Sequence, residues 1–221
     1  MKLALFDCDG TLVDSGGLIH EVMVRTFEDF DLVRPDLSAT KGIIGLTLDI
    51  AIARLLGRDH VDDQALAMTA HYKSIFAGVR AEAGFQELLF PGIAAMMQTL
   101  SGRDELLVGA VTGKSRRGLT HIAETHGFDR MFFVSRTADD CPSKPHPAMV
   151  TECCSEAGID PRDTVVIGDA IYDMQMAKAA GAAAIGVAWG YASVPDLVEA
   201  GADYIARTPA DIIEWMEQYH A

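Results

Sequence analysis

The chain is poor in positive charge. Its 18 lysines and arginines stand against 32 aspartates and glutamates, a formal net charge of -14 at pH 7. General nucleic-acid binding needs a basic face, so this balance argues against it, and against acidic membrane surfaces as well. No apolar stretch reaches the length of a membrane span. Met1-Lys2-Leu3 leads straight into a strand pattern, without the architecture of a signal peptide, so a cytoplasmic location is expected. Cysteine is scarce: Cys8, Cys141, Cys153 and Cys154 show no CxxC spacing and no metal-ligand pattern with histidine. They read as small buried thiols. Repeats and low-complexity tracts are also missing.

What is present suits a globular α/β protein. With 49% apolar and 23% charged residues, 221 residues can hold one sizeable domain plus an insertion. The first apolar run, Leu3-Ala4-Leu5-Phe6, reads as a buried strand. Residues from about Gly16 to Gly84 read as helical, with patterns starting at Leu18, near Leu46–Leu56 and near Asp62–Val79. From Phe90-Pro91-Gly92 helix and strand alternate. Strands are predicted at Leu106–Val111, Met131–Val134, Thr164–Ile167, Ala183–Val187 and Tyr204–Ala206, with a terminal helix from about Ala210. Such alternation implies a Rossmann-like parallel sheet covered by helices on both faces. The predicted organisation is therefore a core of residues 1–15 and 85–221, interrupted by a helical insert of residues 16–84.

The first strand ends in Asp7-Cys8-Asp9-Gly10-Thr11, two carboxylates at the edge where open α/β sheets bind ligands. One can act as nucleophile and the other as general acid/base, with a hard cation between them and a phosphate. A calcium-loop register fails, because it would put Leu5 first and Gly16 twelfth, where acids are required. A plain surface turn is the other reading of Asp and Gly. The strand Leu106–Val111 runs into Thr112-Gly113-Lys114-Ser115, where a hydroxyl and helix-opening N–H groups suit a phosphate. A P-loop would need glycine at Val108, and Thr112 also fits an ordinary helix cap. Lys144 precedes Pro145 near a helix start, and an ammonium there can neutralise a carboxylate and a phosphoryl oxygen together, although a lone lysine also reads as surface. Asp169 ends the strand Thr164–Ile167 beside Asp7, and Asp173 follows on the next helix, placed to orient a water or the lysine. Three converging carboxylates repel unless a cation joins them, and Mg²⁺ takes oxygen ligands.

These residues resemble the haloacid-dehalogenase-like hydrolase superfamily. Asp7 to Ser15 is similar to its first motif, and Thr112, Lys144 and the pair Asp169/Asp173 to the second, third and fourth. The stretches Met176–Gly181 and Gly186–Gly190 resemble the phosphoglycolate phosphatase branch, and the helical insert resembles the family's small cap. The resemblance implies a Mg²⁺-dependent phosphatase of small phosphomonoesters, phosphoglycolate-like, working through an aspartyl-phosphate on Asp7. Asp9 would be the acid/base. Asp7, the Asp9 carbonyl and Asp169 would hold Mg²⁺, and Thr112, Gly113 and Lys144 the phosphate. Asp9 argues against dehalogenases, which lack it, and against phosphonatases. Lys41-Gly42 is followed by Gly45 where sugar phosphomutases carry Arg, and Gly113 stands where close relatives often carry Asn. Pyrophosphatase, mutase and a non-catalytic phosphate-binding protein are the alternatives. Arg34 and Lys41 are candidate cations for a substrate carboxylate, or solvated helix ends. The insert's apolar residues fit a core or an interface, which leaves the oligomeric state open.

Overall fold

The computed structural model describes residues 1–219. Among them a six-stranded sheet runs in the order β5-β4-β1-β6-β7-β8, with every neighbouring pair parallel. The strands are β1 (Lys2–Phe6), β4 (Leu106–Val111), β5 (Val134–Arg136), β6 (Thr164–Gly168), β7 (Ala183–Val187) and β8 (Tyr204–Ala206). Two further strands, β2 (Val13–Asp14) and β3 (Leu88–Leu89), form a separate antiparallel pair. β1 is central because both its faces are apolar. Ala4 and Phe6 enter one core layer, Leu3 and Leu5 the other, as the two-residue period of a strand requires. The first layer is closed by α5 (Ile93–Ser101) and α10 (Pro209–Tyr219), and the second by α7 (Ala148–Ala157), α8 (Ile171–Ala180) and α9 (Val194–Glu199). The remaining core helix, α6 (Arg116–His126), starts at Ser115, whose side chain accepts from the Gly118 amide, and stops at Gly127 in the left-handed conformation (φ 75°).

Between β2 and β3 lie four helices, α1 (Gly16–Asp29), α2 (Leu37–Lys41), α3 (Leu48–Leu55) and α4 (Asp63–Arg80). They own an apolar cluster. On α4, Ala65, Met68, Tyr72 and Val79 are buried at helical spacing and meet Val22, Met23 and Phe27 of α1 and Ile52 of α3. Burying one such large side chain contributes roughly 1.5–3 kcal/mol. The cluster also takes in Ala170 and Tyr172 at the start of α8, so the helical unit rests on the sheet's carboxyl edge. Polar contacts fix it there. Tyr172 donates to the Gly42 carbonyl at 3.1 Å, Arg54 donates to the Tyr172 hydroxyl at 2.8 Å, and the Thr47 amide donates to Ser143 Oγ at 2.9 Å.

The main departures from the predicted elements are local. The strand expected at Met131–Val134 lies at Val134–Arg136. Met131 and Phe132 instead donate to the Phe128 carbonyl in a turn, and pairing begins only where the Phe133 amide reaches Val108. The helices α2 and α9 and the β2–β3 pair were not anticipated. All four cysteines are free and buried. No helix among the described residues is long and apolar enough to cross a membrane.

The seat of the helical unit depends on Gly113. A Cβ there would lie 2.6 Å from the Leu46 carbonyl oxygen and 2.7 Å from that of Gly45. Gly113→Ala should therefore lift this loop at a cost of roughly 1–3 kcal/mol. Amide hydrogen exchange is expected to speed about tenfold or more across residues 43–48 while β1, β4 and β6 keep their protection. Unchanged exchange in that loop would show that the contact is not constraining.

Candidate active site

The polar residues gather where β1, β4 and β6 end. β1 stops at Phe6, and the Asp7 amide still donates to the Ile167 carbonyl of β6 at 2.9 Å, which sets Asp7 at the middle of the edge. Its carboxylate is buried, and apart from Lys144 neither oxygen has a hydrogen-bond partner among the described residues. The nearest cation is Lys144, whose Nζ lies 2.8 Å from Asp7 Oδ1 and 2.6 Å from Asp173 Oδ1. Asp173 is held at its other oxygen, which accepts from the Ala170 amide at the start of α8 at 3.1 Å. Gly168 makes room for it, since a Cβ there would meet the Asp173 carboxyl carbon at 2.3 Å.

Asp169 sits between two glycines. A Cβ on Gly10 would fall 2.2 Å from its Oδ2, and one on Gly190 would fall 2.1 Å from its Cβ. Gly10 also has φ 81°, a left-handed conformation that favours glycine. The Asp169 carboxylate accepts from Thr11 Oγ1 at 3.2 Å and from the Tyr191 amide at 2.9 Å. Oxygens of Asp7, Asp169 and Asp173 lie within 4.8 Å of one another, all buried. Burial is the largest influence on Asp7 and pushes its carboxyl up to about 7. Lys144 pulls the other way, and Asp173 and Asp9 add to the rise. Burial also raises Asp169 well above the usual range, reinforced by Asp7 and Asp173. For Lys144, burial works downward, but Asp173 and Asp7 hold its pKa above the ordinary lysine value. Three carboxylates against one ammonium leave two negative charges when all are ionised. The donors are hard oxygens, and the orphaned Asp7 oxygens face the cluster, so the set fits a divalent cation.

Asp9 lies apart from this cluster. Its Oδ1 receives Lys114 Nζ at 2.8 Å and also the Ser15 hydroxyl. Lys114 in turn lies 2.7 Å from Oε1 of Glu87, a buried acid just before β3. Burial works to lower the Lys114 pKa, yet Asp9 and Glu87 hold it well above the usual value. Thr112 is fully buried at the end of β4, and its Oγ1 accepts from the Lys114 amide at 3.2 Å.

Two cavities of about 980 Å³ each adjoin the site. One reaches Asp169 and is lined by Lys41, Gln175, Tyr191 and Ser193. The other reaches Asp9 and is lined by Gly113, Lys114, Glu87, Tyr72 and Phe76. The structure thus brings together Asp7, Lys144, Asp169 and Asp173, with Thr112 and Gly113 at the adjoining strand end. Lys41 stands at the first cavity, its Nζ 5.1 Å from the Tyr191 ring centre. Arg34 is not brought in: its guanidinium pairs with Glu28, is 69% exposed and lines neither cavity. The sequence reading missed Lys114, Glu87, Ser15 and Tyr191. Lys114 had a signal, standing two residues past Thr112, whereas Glu87 lies in an irregular stretch with none.

Residues 4–187 match the family model of the haloacid dehalogenase-like hydrolases. The chain belongs to that family. It is 32% identical over 213 residues to a protein named Probable phosphatase IndB from Dickeya dadantii, covering 96% of this chain and 91% of the relative. It is 28% identical to a phosphoglycolate phosphatase of Pasteurella multocida, with 98% of each chain covered. In fold it is similar to a crystal structure of a predicted phosphatase from Clostridium acetobutylicum, with a TM-score of 0.86, 24% identity and 98% of each chain covered.

The raised carboxyls make a pH prediction. Asp7 moves from 3.8 to about 7 on folding, so between those values the folded protein holds more protons than the unfolded chain. Without metal, this group's contribution to stability therefore falls as pH rises through that window. A cation competes with the same protons, so the gain in Tm on adding Mg²⁺ should be small near pH 5 and large near pH 8. At 100 times Kd the gain is about 2.7 kcal/mol, or roughly 5–10 °C for a chain of this size. Differential scanning fluorimetry with and without Mg²⁺ tests it. An equal gain at both pH values would contradict the assignment.

Proposed function

We propose that this chain is a Mg²⁺-dependent phosphatase of small phosphomonoesters that works through an aspartyl-phosphate on Asp7. The observation that carries the reading is the state of that side chain. Asp7 is buried at the tip of the central strand, and Lys144 at Oδ1 is the one polar partner its carboxylate has among the described residues. A purely structural buried carboxylate would be expected to have its lone pairs filled. A carboxylate with an oxygen left unfilled at the strand edge suits a nucleophile.

The chemistry then follows from the arrangement. Asp7 attacks phosphorus, while Asp9, two residues on and beside the second cavity, gives a proton to the leaving oxygen. Asp9 later takes a proton from the water that cleaves the acyl-phosphate. Thr112 Oγ1, the Gly113 N–H and Lys144 Nζ hold the transferring oxygens, and stabilising their spread charge is most of phosphoryl-transfer catalysis. Asp7, the Asp9 carbonyl and Asp169 would hold Mg²⁺, which would supply positive charge beside nucleophile and phosphate. Asp173 keeps Lys144 in place. Residues 16–84 act as a cap that shuts bulk water out of the site and opens for substrate. Lys41, at the mouth near Asp169, is the cap cation available to a substrate carboxylate, and Arg34 belongs to the exposed outer end of the cap. Phosphoglycolate, the ester in the names of several relatives, is the first ester to try, and a cytoplasmic location goes with this reading.

Phosphate release should be measured on phosphoglycolate, other small monoesters, pyrophosphate and glucose 1-phosphate, with and without Mg²⁺. Release is expected only with Mg²⁺ and only from monoesters. Asp7→Asn should cut it by at least about 10⁴-fold while the protein stays folded, because the substitution removes one of three crowded carboxylates. A variant that turns over normally would rule out the covalent mechanism. Preference for pyrophosphate, or isomerisation of glucose 1-phosphate, would move the chain to the pyrophosphatase or mutase reading.

A further inference from the structure

We propose that Lys114, braced by Glu87, positions Asp9 for proton transfer by gripping its Oδ1 and leaving Oδ2 to serve the leaving group. The proposal rests on the phosphatase reading above. Lys114 Nζ lies 2.8 Å from Asp9 Oδ1 and 2.7 Å from Glu87 Oε1, and the three side chains are only 9%, 11% and 5% exposed. The Ser15 hydroxyl donates to the same Asp9 oxygen. The hydrogen bond and ion pair that the Asp9 carboxylate makes both fall on Oδ1, and Asp9 lines the second cavity. Two donors on one oxygen and none on the other fix both the rotation of the carboxyl group and the oxygen that exchanges the proton.

Glu87 explains why the lysine stays. A lysine has a long stem with many rotamers, and a single carboxylate holds it loosely. Glu87 gives it a second anchor, and the Glu87 backbone is itself tied down, its carbonyl accepting from His126 Nε2 at 2.9 Å. Arg80 approaches the other Glu87 oxygen at 3.9 Å. The same geometry argues against Lys114 as a ligand for an anionic substrate, because two carboxylates already meet its charge. Lys114 remains protonated throughout. In the first step the Asp7–phosphorus bond forms as the ester P–O bond breaks, and the Asp9 Oδ2 proton passes to the departing oxygen. In the second, water oxygen attacks phosphorus, its proton returns to Asp9 and the Asp7 carboxylate is released.

The role predicts selectivity by leaving group. An alkoxide needs the proton, whereas p-nitrophenolate leaves without it. kcat/KM, which reports steps through the first irreversible one, should be compared for p-nitrophenyl phosphate and for two alkyl esters, phosphoglycolate and glycerol 1-phosphate. Proton transfer of this kind is worth about 10²–10⁴-fold. Lys114→Met should lose at least about tenfold more on the alkyl esters than on the aryl ester, and Glu87→Gln should show the same split in weaker form. Asp9→Asn sets the upper limit. Thermal melts identify any variant that fails to fold, and Glu87→Gln, which keeps shape and an acceptor, then decides the matter. Equal loss on aryl and alkyl esters would overturn the proposal, as would no loss, or a rise in KM confined to phosphoglycolate. A wild-type protein inactive on all three esters with Mg²⁺ would instead overturn the phosphatase reading itself.

Discussion

The ion cluster of Lys144 between Asp7 and Asp173 is the constraint on which the rest of the site depends. All three side chains are essentially inaccessible to water. Burying a single charge costs far more than any one contact returns, so none of the three is tolerable alone. The lysine makes the Asp7 carboxylate tolerable in a core, and Asp173 keeps the lysine from collapsing fully onto Asp7. Asp173 can do so because the first amide of α8 fills its second oxygen. A helix terminus, a loop lysine and a strand-end carboxylate are thus locked into one unit, although they lie far apart in the chain.

The sheet supplies the geometry for that unit. Because β1 is flanked by β4 on one side and β6 on the other, three strand ends converge on one short stretch of edge. Chain crossings on opposite sides of β1 leave a crevice there, as in other open α/β sheets. Space in the crevice is made by glycine. Gly10, Gly168 and Gly190 stand where any Cβ would collide with Asp169 or Asp173. The carboxylates are held close by backbone that has no side chain to push them apart, against a mutual repulsion that a bound cation would relieve.

Much of this was legible in the residues. β4 and β7 follow from apolar runs, and they fall where predicted. Asp7, Asp9, Thr112 and Asp169 could be picked out because each lies at or just past the end of an apolar run. What escaped depends on tertiary contact. The run Met131–Phe133 is as apolar as a strand, but Gly127 turns the chain so that Phe128 accepts from the amides of Met131 and Phe132. β2 and β3 are two residues each and exist only by pairing with one another. Glu87 gains its meaning from Lys114, and Tyr191 from Asp14 and the Gly16 amide, none of which local periodicity can foresee.

Charge explains how so acidic a chain can handle an anion. A net charge of -14 repels phosphate at long range, but that field is screened within about 8–10 Å at physiological salt. Inside the site the balance is local. Lys144 lies within 3 Å of Asp7, a cation fits the Asp7–Asp169–Asp173 cluster, and the Gly113 amide lies at the end of β4. Lys144 and the three carboxylates are buried at the strand edge, where their fields are stronger than in bulk water. The second lysine, Lys114, has its charge met by Asp9 and Glu87 and so adds little pull on the phosphate. The two buried lysines therefore differ in kind: Lys144 bridges Asp7 and Asp173 at the strand edge, and Lys114 bridges Asp9 and Glu87 beside it.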